Sequence, residues 1–483
     1  MKKKSIVKNY IYNLSYQILI LILPLVTTPY ISRVLGVENI GIYSYTLSIS
    51  AFFILFGSMG IALYGKREIA YLQKDKEKYN RLFWEILILR AITLSISLII
   101  FYFVFVRQGQ YQTYFKILTL EIIANALDIS WFFQGLEEFK KTVIRNMIVK
   151  VLSVACIFTF VKTKQDLNLY FIIYVLSILI GNISMWMYLP KFLQKVKIRD
   201  LQIAKHLKPT LSLFIPQIAI EIYTLLDRTM IGIIITDKSE VGFYDQGQKI
   251  IKMVLTIITS MGTVMLPRIA NTYISGKKKK VSKYIKKSLN MVYFLAFPMM
   301  LGIISVSEEF VPKFFGQGYD KVAIIMNVIS PIMLLIGISG TIGTQFLLPT
   351  KRQKAFTLSV VYGAVTNFVM NFVLIRRFGA IGAAIGTVIA ELVVTSVQLY
   401  FVRKDFKIKD NLKLMKNYII ASSIMFIVCL VIKSIVRKPY LSIGLQCFIG
   451  GIVYLTSLII LDDKFIFEII DRLKIKIKNK GSM

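Results

Sequence analysis

Apolar runs of about 20 residues, the length a helix needs to cross a hydrocarbon core of roughly 30 Å, follow one another along the chain with only short polar breaks between them. Inside lipid every backbone N–H and C=O has to be satisfied by the protein itself, so runs of this kind fold as spanning helices. Measured this way, the chain carries about fourteen spans, among them Tyr10–Ser32, Asn39–Tyr64, Tyr114–Gly135 and Thr210–Ile235. The expected fold class is an all-α polytopic membrane protein. Composition agrees: the 483 residues are 56% hydrophobic and 18% charged, where soluble domains have about 45–50% and about 25%. No polar segment is long enough to fold as a soluble domain of its own.

The formal charge of +34 would suit a nucleic-acid partner, but its placement excludes that class. Lys and Arg arrive in bursts between apolar runs: "MKKK" at the start, "GKREIAYLQKDKEKYNR" from Gly65, "PKFLQKVKIRDLQIAKHLK" from Pro190, "GKKKKVSKYIKK" from Gly276 and "RKDFKIKDNLKLMK" from Arg403. Such bursts at span ends hold loops in the cytoplasm. With the amino terminus inside, basic residues on inner segments outnumber those on outer ones roughly threefold, which places both termini in the cytoplasm. Pro24 interrupts the first apolar run and no A-x-A site follows it, so that run is expected to remain as the first helix rather than be removed as a signal peptide. Membrane lipids are the immediate surroundings.

An internal echo organises the spans. "VENIGIYSYTLSI" from Val37 aligns without gaps with "KSEVGFYDQGQKI" from Lys238, placing Gly41 on Gly242, Tyr43 on Tyr244 and Ile49 on Ile250. Each copy falls between the first and second helix of a set of six. Six is even, so both sets start on the same side and form parallel repeats about an axis along the membrane normal. The expected division is helices 1–6 in residues 1–190, a cytoplasmic linker at 191–208, helices 7–12 in 209–402, and two further helices with a basic tail in 403–483. Pro24 and Pro29 in the first helix and Pro209 and Pro216 in the seventh occupy the same helix of each set, where they suit a hinge or simple curvature. "GAIGAAIG" from Gly379 reads as a helix-packing face.

Few residues suggest covalent chemistry. The single histidine, His206, stands in a basic loop and is expected to be solvated. Cys156, Cys429 and Cys447 lie in apolar runs without ligand spacing, as packing residues. There is no G-x-x-x-x-G-K-[ST] phosphate loop, and the largest outer segment, "SEEFVPKFFGQGYDK" from Ser307, is too small to hold a catalytic domain. An enzyme is not expected, nor a metal site.

The informative residues are charges inside spans. Each costs roughly 2.5–3.5 kcal/mol at mid-helix on insertion scales and so faces a protein interior or an aqueous cavity. By depth these are Arg90, Glu121, Lys150, Glu221 and Glu391; Asp128, Asp227, Arg228, Lys249, Lys252 and Arg268 lie nearer span ends. Either they line a wet cavity with cations for an anionic headgroup, or they pair among themselves and snorkel to an interface.

The segments "PYISRVLG" from Pro29, "YGKREIA" from Tyr64, "WFFQGLEEFK" from Trp131, "LLDRTMIG" from Leu225, "GFYDQGQKI" from Gly242, "MLPRIA" from Met265 and "FGAIGAAIGTVIAE" from Phe378 resemble, in that order, the polysaccharide flippases of the Wzx type. These belong to the multidrug/oligosaccharidyl-lipid/polysaccharide exporter superfamily. The resemblance runs to about Val402 and weakens over the last two helices. It implies two six-helix lobes in a V with two additional C-terminal helices. It also implies movement of an undecaprenyl-pyrophosphate-linked oligosaccharide across a bacterial cytoplasmic membrane, with no cofactor beyond a proton or sodium gradient, alongside other polysaccharide-assembly membrane proteins. The residues it points to are Arg33 of "PYISRVLG" and Arg228 of "LLDRTMIG" as cavity cations. Arg90, Lys150 and Lys252 join them on depth alone, with Glu121, Asp128, Glu221 and Asp227 as charge partners or ion-coupling groups. Three alternatives stay open: a multidrug and toxin extruder, a peptidoglycan-precursor flippase, and a membrane-embedded glycan polymerase or ligase.

Overall fold

The computed structural model describes residues 6–194, 196, 198–405, 408–468 and 471. "MKKK" and the expected basic tail beyond residue 471 lie outside them. All regular elements among the described residues are helical, and twelve segments are long and apolar enough to cross a membrane. The expected count of about fourteen is not confirmed, and the difference sits at two places. One is α1 (Ile6–Ser58), a single 53-residue element where the apolar pattern predicts two. A straight helix of that length would run about 80 Å, far beyond a bilayer core. It is bent at Gly36, whose φ of 78 and ψ of 167 lie in a region essentially reserved for glycine. The two arms meet the same loop: Tyr30 donates its hydroxyl to the Val161 carbonyl (2.7 Å) and Asn39 its amide to that of Lys164 (2.8 Å). The other place is α8 (Leu207–Ile234), which is not among the twelve.

The chain forms two compact units that divide after Gly242. In the first, α1 packs against α3 (Lys76–Phe101), α4 (Gln112–Ala126), α6 (Phe139–Phe160) and α8, and α7 (Leu167–Trp186) packs against α4 and α6. The short helices α2 (Ile61–Tyr71) and α5 (Ser130–Gly135) close an aromatic core at one end of α3. There the Trp131 ring stacks on Phe83 with centroids 5.6 Å apart, and it fits because residue 65 is glycine: a Cβ there would lie 2.6 Å from the ring. The 191–208 segment is docked on α3 rather than slack. Tyr79 donates to the Phe192 carbonyl (3.3 Å), and Asn80 exchanges hydrogen bonds with the backbone of Gln194 at 2.9 and 3.2 Å. Helix α8 follows this segment yet packs on α1 and α2, with the Ser48 and Thr229 hydroxyls 2.7 Å apart.

The second unit contains α9 (Ser239–Ile274), α10 (Lys278–Phe314), α11 (Asp320–Ile329), α12 (Ile332–Ser339), a π-helical stretch from Gly340 to Leu347, α13 (Gln353–Phe378), α14 (Ala380–Val402), α15 (Ile408–Ile435) and α16 (Pro439–Ile460). "GAIGAAIG" does pack: a Cβ on Gly382 would come within 2.3 Å of the Leu374 carbonyl oxygen on α13. Helices α15 and α16 pair with each other and with α10. In both units large apolar side chains such as Ile99, Ile148, Ile180, Phe368 and Phe448 are about half exposed or more, as lipid-facing helices require.

Candidate transport site

Two of the sequence-selected charges of the first unit, Arg90 and Asp128, meet where α4 breaks. Helix α4 ends at Ala126, Leu127 to Ile129 leave the helix, and α5 begins at Ser130. A helix end leaves its last four carbonyls without intrahelical donors, and within a bilayer no water replaces them. Three side chains do. Asn182 donates to the Ala124 carbonyl (2.7 Å), Arg90 Nε to that of Asn125 (2.9 Å) and Trp186 Nε1 to that of Leu127 (2.8 Å). Arg145 donates in turn to the Asn182 amide oxygen (2.9 Å). A cation at a helix C-terminus is also favoured by the macrodipole. Arg90 is 2% exposed, and its Nη2 lies 3.9 Å from Asp128 Oδ2. The other oxygen of Asp128 accepts from the Ser130 backbone at 2.9 Å and so caps α5. Arg90 and Asp128 thus splice two helices.

Two turns earlier on α4, Glu121 is 6% exposed. Its Oε2 accepts from the Ser50 hydroxyl of α1 (2.8 Å) and its Oε1 from that of Tyr174 on α7 (2.9 Å). Around it stand Tyr43, 4.7 Å from Tyr170 and 5.7 Å from Tyr174 between ring centroids, and Tyr114 stacked on Phe171 at 4.7 Å.

The remaining sequence-selected residues disperse. Lys150 is exposed on α6, Arg33 is exposed just before the bend at Gly36, and Glu221 is exposed on α8. On the same helix Asp227 is buried and Arg228 half-buried, both engaged with neighbours. In the second unit Lys252 is half-buried and engaged, and Lys249 pairs with Asp245 at 3.5 Å. Arg268 is exposed and lies 4.6 Å over the Tyr284 ring, whereas Glu391 is buried and engaged.

The expectation for His206 is overturned. Instead of being solvated it is 3% exposed, with Nδ1 2.8 Å from the Tyr64 hydroxyl and Nε2 2.8 Å from Glu85 Oε2. Burial first, then the charge of Glu68, raise the Tyr64 pKa above its ordinary value. Tyr64 therefore keeps its proton and donates to Nδ1, which leaves Nε2–H to donate to Glu85. Glu85, 1% exposed, also receives Arg81 Nε (3.0 Å), the Gln202 backbone (2.7 Å) and Lys205 Nζ (3.0 Å). The hub escaped sequence reading because Glu85 and His206 lie far apart in the chain. The one available signal was a lone Glu between apolar residues in "LFWEILILR" from Leu82.

Membrane-length helices in two units, with charged side chains such as Arg90 and Glu121 buried against neighbouring helices, define a multi-spanning transporter-type membrane protein. The chain belongs to the family described as polysaccharide biosynthesis protein, whose sequence model matches residues 6–273. A second model, described as lipid II flippase MurJ, matches residues 149–449. Among curated relatives, a putative O-antigen transporter of Escherichia coli (strain K12) is 27% identical over 83% of this chain and 98% of its own length. The capsular polysaccharide biosynthesis protein CapF of Staphylococcus aureus is 24% identical over 83% of this chain and 100% of its own. Among solved structures, lipid II flippase MurJ in an inward closed conformation superposes with a TM-score of 0.73, at 18% identity, over 95% of this chain and 99% of that one. An inward-facing multidrug resistance MATE family transporter of the MOP superfamily gives 0.63 at 14% identity over 82% and 96%. These likenesses establish the fold.

Proposed function

We propose that this chain is a flippase that carries an undecaprenyl-pyrophosphate-linked oligosaccharide from the cytoplasmic to the outer leaflet of a bacterial cytoplasmic membrane, for surface polysaccharide synthesis. What most supports the reading is membership of the polysaccharide biosynthesis family together with alignment to nearly the whole length of an O-antigen transporter. A sugar headgroup bearing a pyrophosphate does not cross hydrocarbon unaided, whereas cationic side chains replace its hydration while the lipid tail stays in the bilayer. Alternating access then proceeds by rocking two helical repeats, residues 1–190 and 209–402, with no covalent bond made or broken. Lys150, Arg228, Lys252 and Arg33 are the headgroup contacts in this reading, and Arg90 acts through its hold on α4. Glu121, Asp128, Glu221 and Asp227 are charge partners or coupling groups, with a proton or sodium gradient as the drive. Both termini are cytoplasmic, and the partners are the other membrane proteins of polysaccharide assembly.

Deleting the gene and identifying the lipid that accumulates by mass spectrometry tests this. A lipid-linked oligosaccharide is expected, and its absence sinks the reading. A peptidoglycan-precursor flippase is the second reading, favoured by the MurJ match over residues 149–449; growth rescue in cells depleted of their own lipid II flippase would establish it instead.

A further inference from the structure

We propose that the cleft between the start of α3 and the 191–208 segment is a second substrate site, which binds the sugars of the cargo on the cytoplasmic side and selects among them. It rests on the flippase reading, and it separates sugar selection from the headgroup contacts Arg33, Lys150, Arg228 and Lys252.

The cleft encloses about 690 Å³, within the roughly 300–1,000 Å³ of ligand pockets. One wall is the first turns of α3, and the other is the segment from Gln194 to Gln202. That segment is fixed at both ends through its backbone. Asn80 exchanges hydrogen bonds with the Gln194 main chain, and the Gln202 N–H donates to Glu85 at 2.7 Å. Docking by backbone leaves the side chains over. Gln194, Arg199, Asp200 and Gln202 are exposed and line the cleft, as does Glu77 from α3. Among the described residues, none of these five side chains has a hydrogen-bond or ion-pair partner. A wall already fixed costs a ligand little ordering.

Their chemistry selects a neutral polyhydroxyl ligand. Glu77 and Asp200 only accept hydrogen bonds, Arg199 only donates, and the two glutamine amides do both. Arg81, the other cation of the lining, is already neutralised by Glu85 at 3.0 Å. A pyrophosphate is repelled by the two carboxylates and a cation by Arg199. Sugar hydroxyls both donate and accept, and two on adjacent ring carbons engage both oxygens of a carboxylate or two N–H groups of a guanidinium, a geometry that adds specificity. An epimer that misplaces one hydroxyl leaves a group of the site unpaired and is rejected. Depth fits as well. The membrane-length segment Lys76–Val106 has 31 residues, longer than the hydrocarbon core needs, so Glu77 and Arg81 in its first turns stand at the bilayer surface. The sugars of a membrane-anchored lipid project there.

Calorimetric titration of purified full-length protein in nanodiscs tests the site. The probe is the oligosaccharide freed by mild acid from the lipid that accumulates when the gene is deleted. Wild type is expected to bind it, and Arg199→Ala and Asp200→Ala are each expected to weaken binding at least tenfold at an unchanged melting temperature. Inorganic pyrophosphate should not compete. No binding by the wild type, equal binding by both variants, or displacement by pyrophosphate overturns the proposal. In cells, both variants should reach wild-type protein levels and export at least tenfold less glycan; unimpaired export overturns the role in transport. An accumulated lipid without sugar fells the flippase reading and this site with it, whereas a sugar that is present and does not bind fells the site alone.

Discussion

Gly41 and Gly242 press backbone against backbone: a Cβ on Gly41 would lie 1.7 Å from the Lys238 carbonyl oxygen, and one on Gly242 would lie 2.2 Å from that of Val37. The contact is reciprocal, since each glycine meets the residue four places before the other. These are the positions that the internal echo superposes, Val37 on Lys238 and Gly41 on Gly242, so the contact pairs equivalent atoms of the two segments. The aligned tyrosines behave alike. Tyr43 packs on Tyr170 and Phe171 of α7, and Tyr244 hydrogen-bonds Thr387 of α14 at 3.0 Å, in each case on the last helix of its expected set of six.

Gly41→Ala and Gly242→Ala should each destabilise the protein, because the new methyl meets a carbonyl that cannot move without its helix. Overpacking costs about 1–3 kcal/mol and more where backbone is met. Thermal unfolding in detergent measures it. The double variant should lose less than the sum of the singles, since the first separation of the helices also makes room for the second methyl.

Arg90→Lys should destabilise nearly as much as Arg90→Ala. A lysine does not span both the Asn125 carbonyl and the Asp128 carboxylate, and a buried carbonyl left without its donor costs about 1–3 kcal/mol. Asn182→Ala, which frees the neighbouring Ala124 carbonyl, should lower the same melting temperature by a smaller amount. A stable, export-competent Arg90→Lys would contradict the splice.

Lys150→Ala should do the reverse. The residue is exposed on α6, so its loss should change stability by no more than about 0.5 kcal/mol while reducing surface glycan export. Melting temperature and glycan yield, measured on the same cells, separate the two effects; export at wild-type level removes Lys150 from the headgroup contacts.

Tyr64→Phe should cost about 1 kcal/mol, the net worth of one hydrogen bond to His206, and should flatten the alkaline loss of stability. The sign follows from the raised pKa of Tyr64. Above the ordinary tyrosine pKa of about 10 the unfolded chain has lost the proton that the folded protein keeps, so this stabilisation, complete below that pH, is lost as pH rises toward the folded value. Phenylalanine has no proton to lose. Melting curves of wild type and Tyr64→Phe should therefore converge as pH rises.

Glu85→Gln and His206→Asn should each destabilise, and a double-mutant cycle should return about 1–3 kcal/mol of coupling. Zero coupling would mean that the contact holds nothing. Because Gln202 and Lys205 meet the same carboxylate, protease cutting within residues 191–208 should speed up in both variants.

That the chain folds as membrane-spanning helices, and that Arg90, Glu121 and Asp128 are unusual within them, was determined by the sequence alone. The reason is local: lipid forces each segment to satisfy its own backbone, so span length, flanking charge and a lone polar residue among apolar ones carry the information. What each polar group does was decided by tertiary structure. Depth in a span marks Arg90 and Lys150 alike, yet one is buried on the Asn125 carbonyl and the other exposed on α6. The difference is helix rotation and the break after Ala126, which spacing along one helix does not encode. His206 in a basic segment reads as a solvated loop residue, and becomes a buried link only because the docking of residues 191–208 on α3 brings it to Glu85 and Tyr64. Backbone demands inside an unbroken helix are met within it, whereas those of carbonyls at a helix break, and those of side chains, are met by whichever helix packing brings alongside.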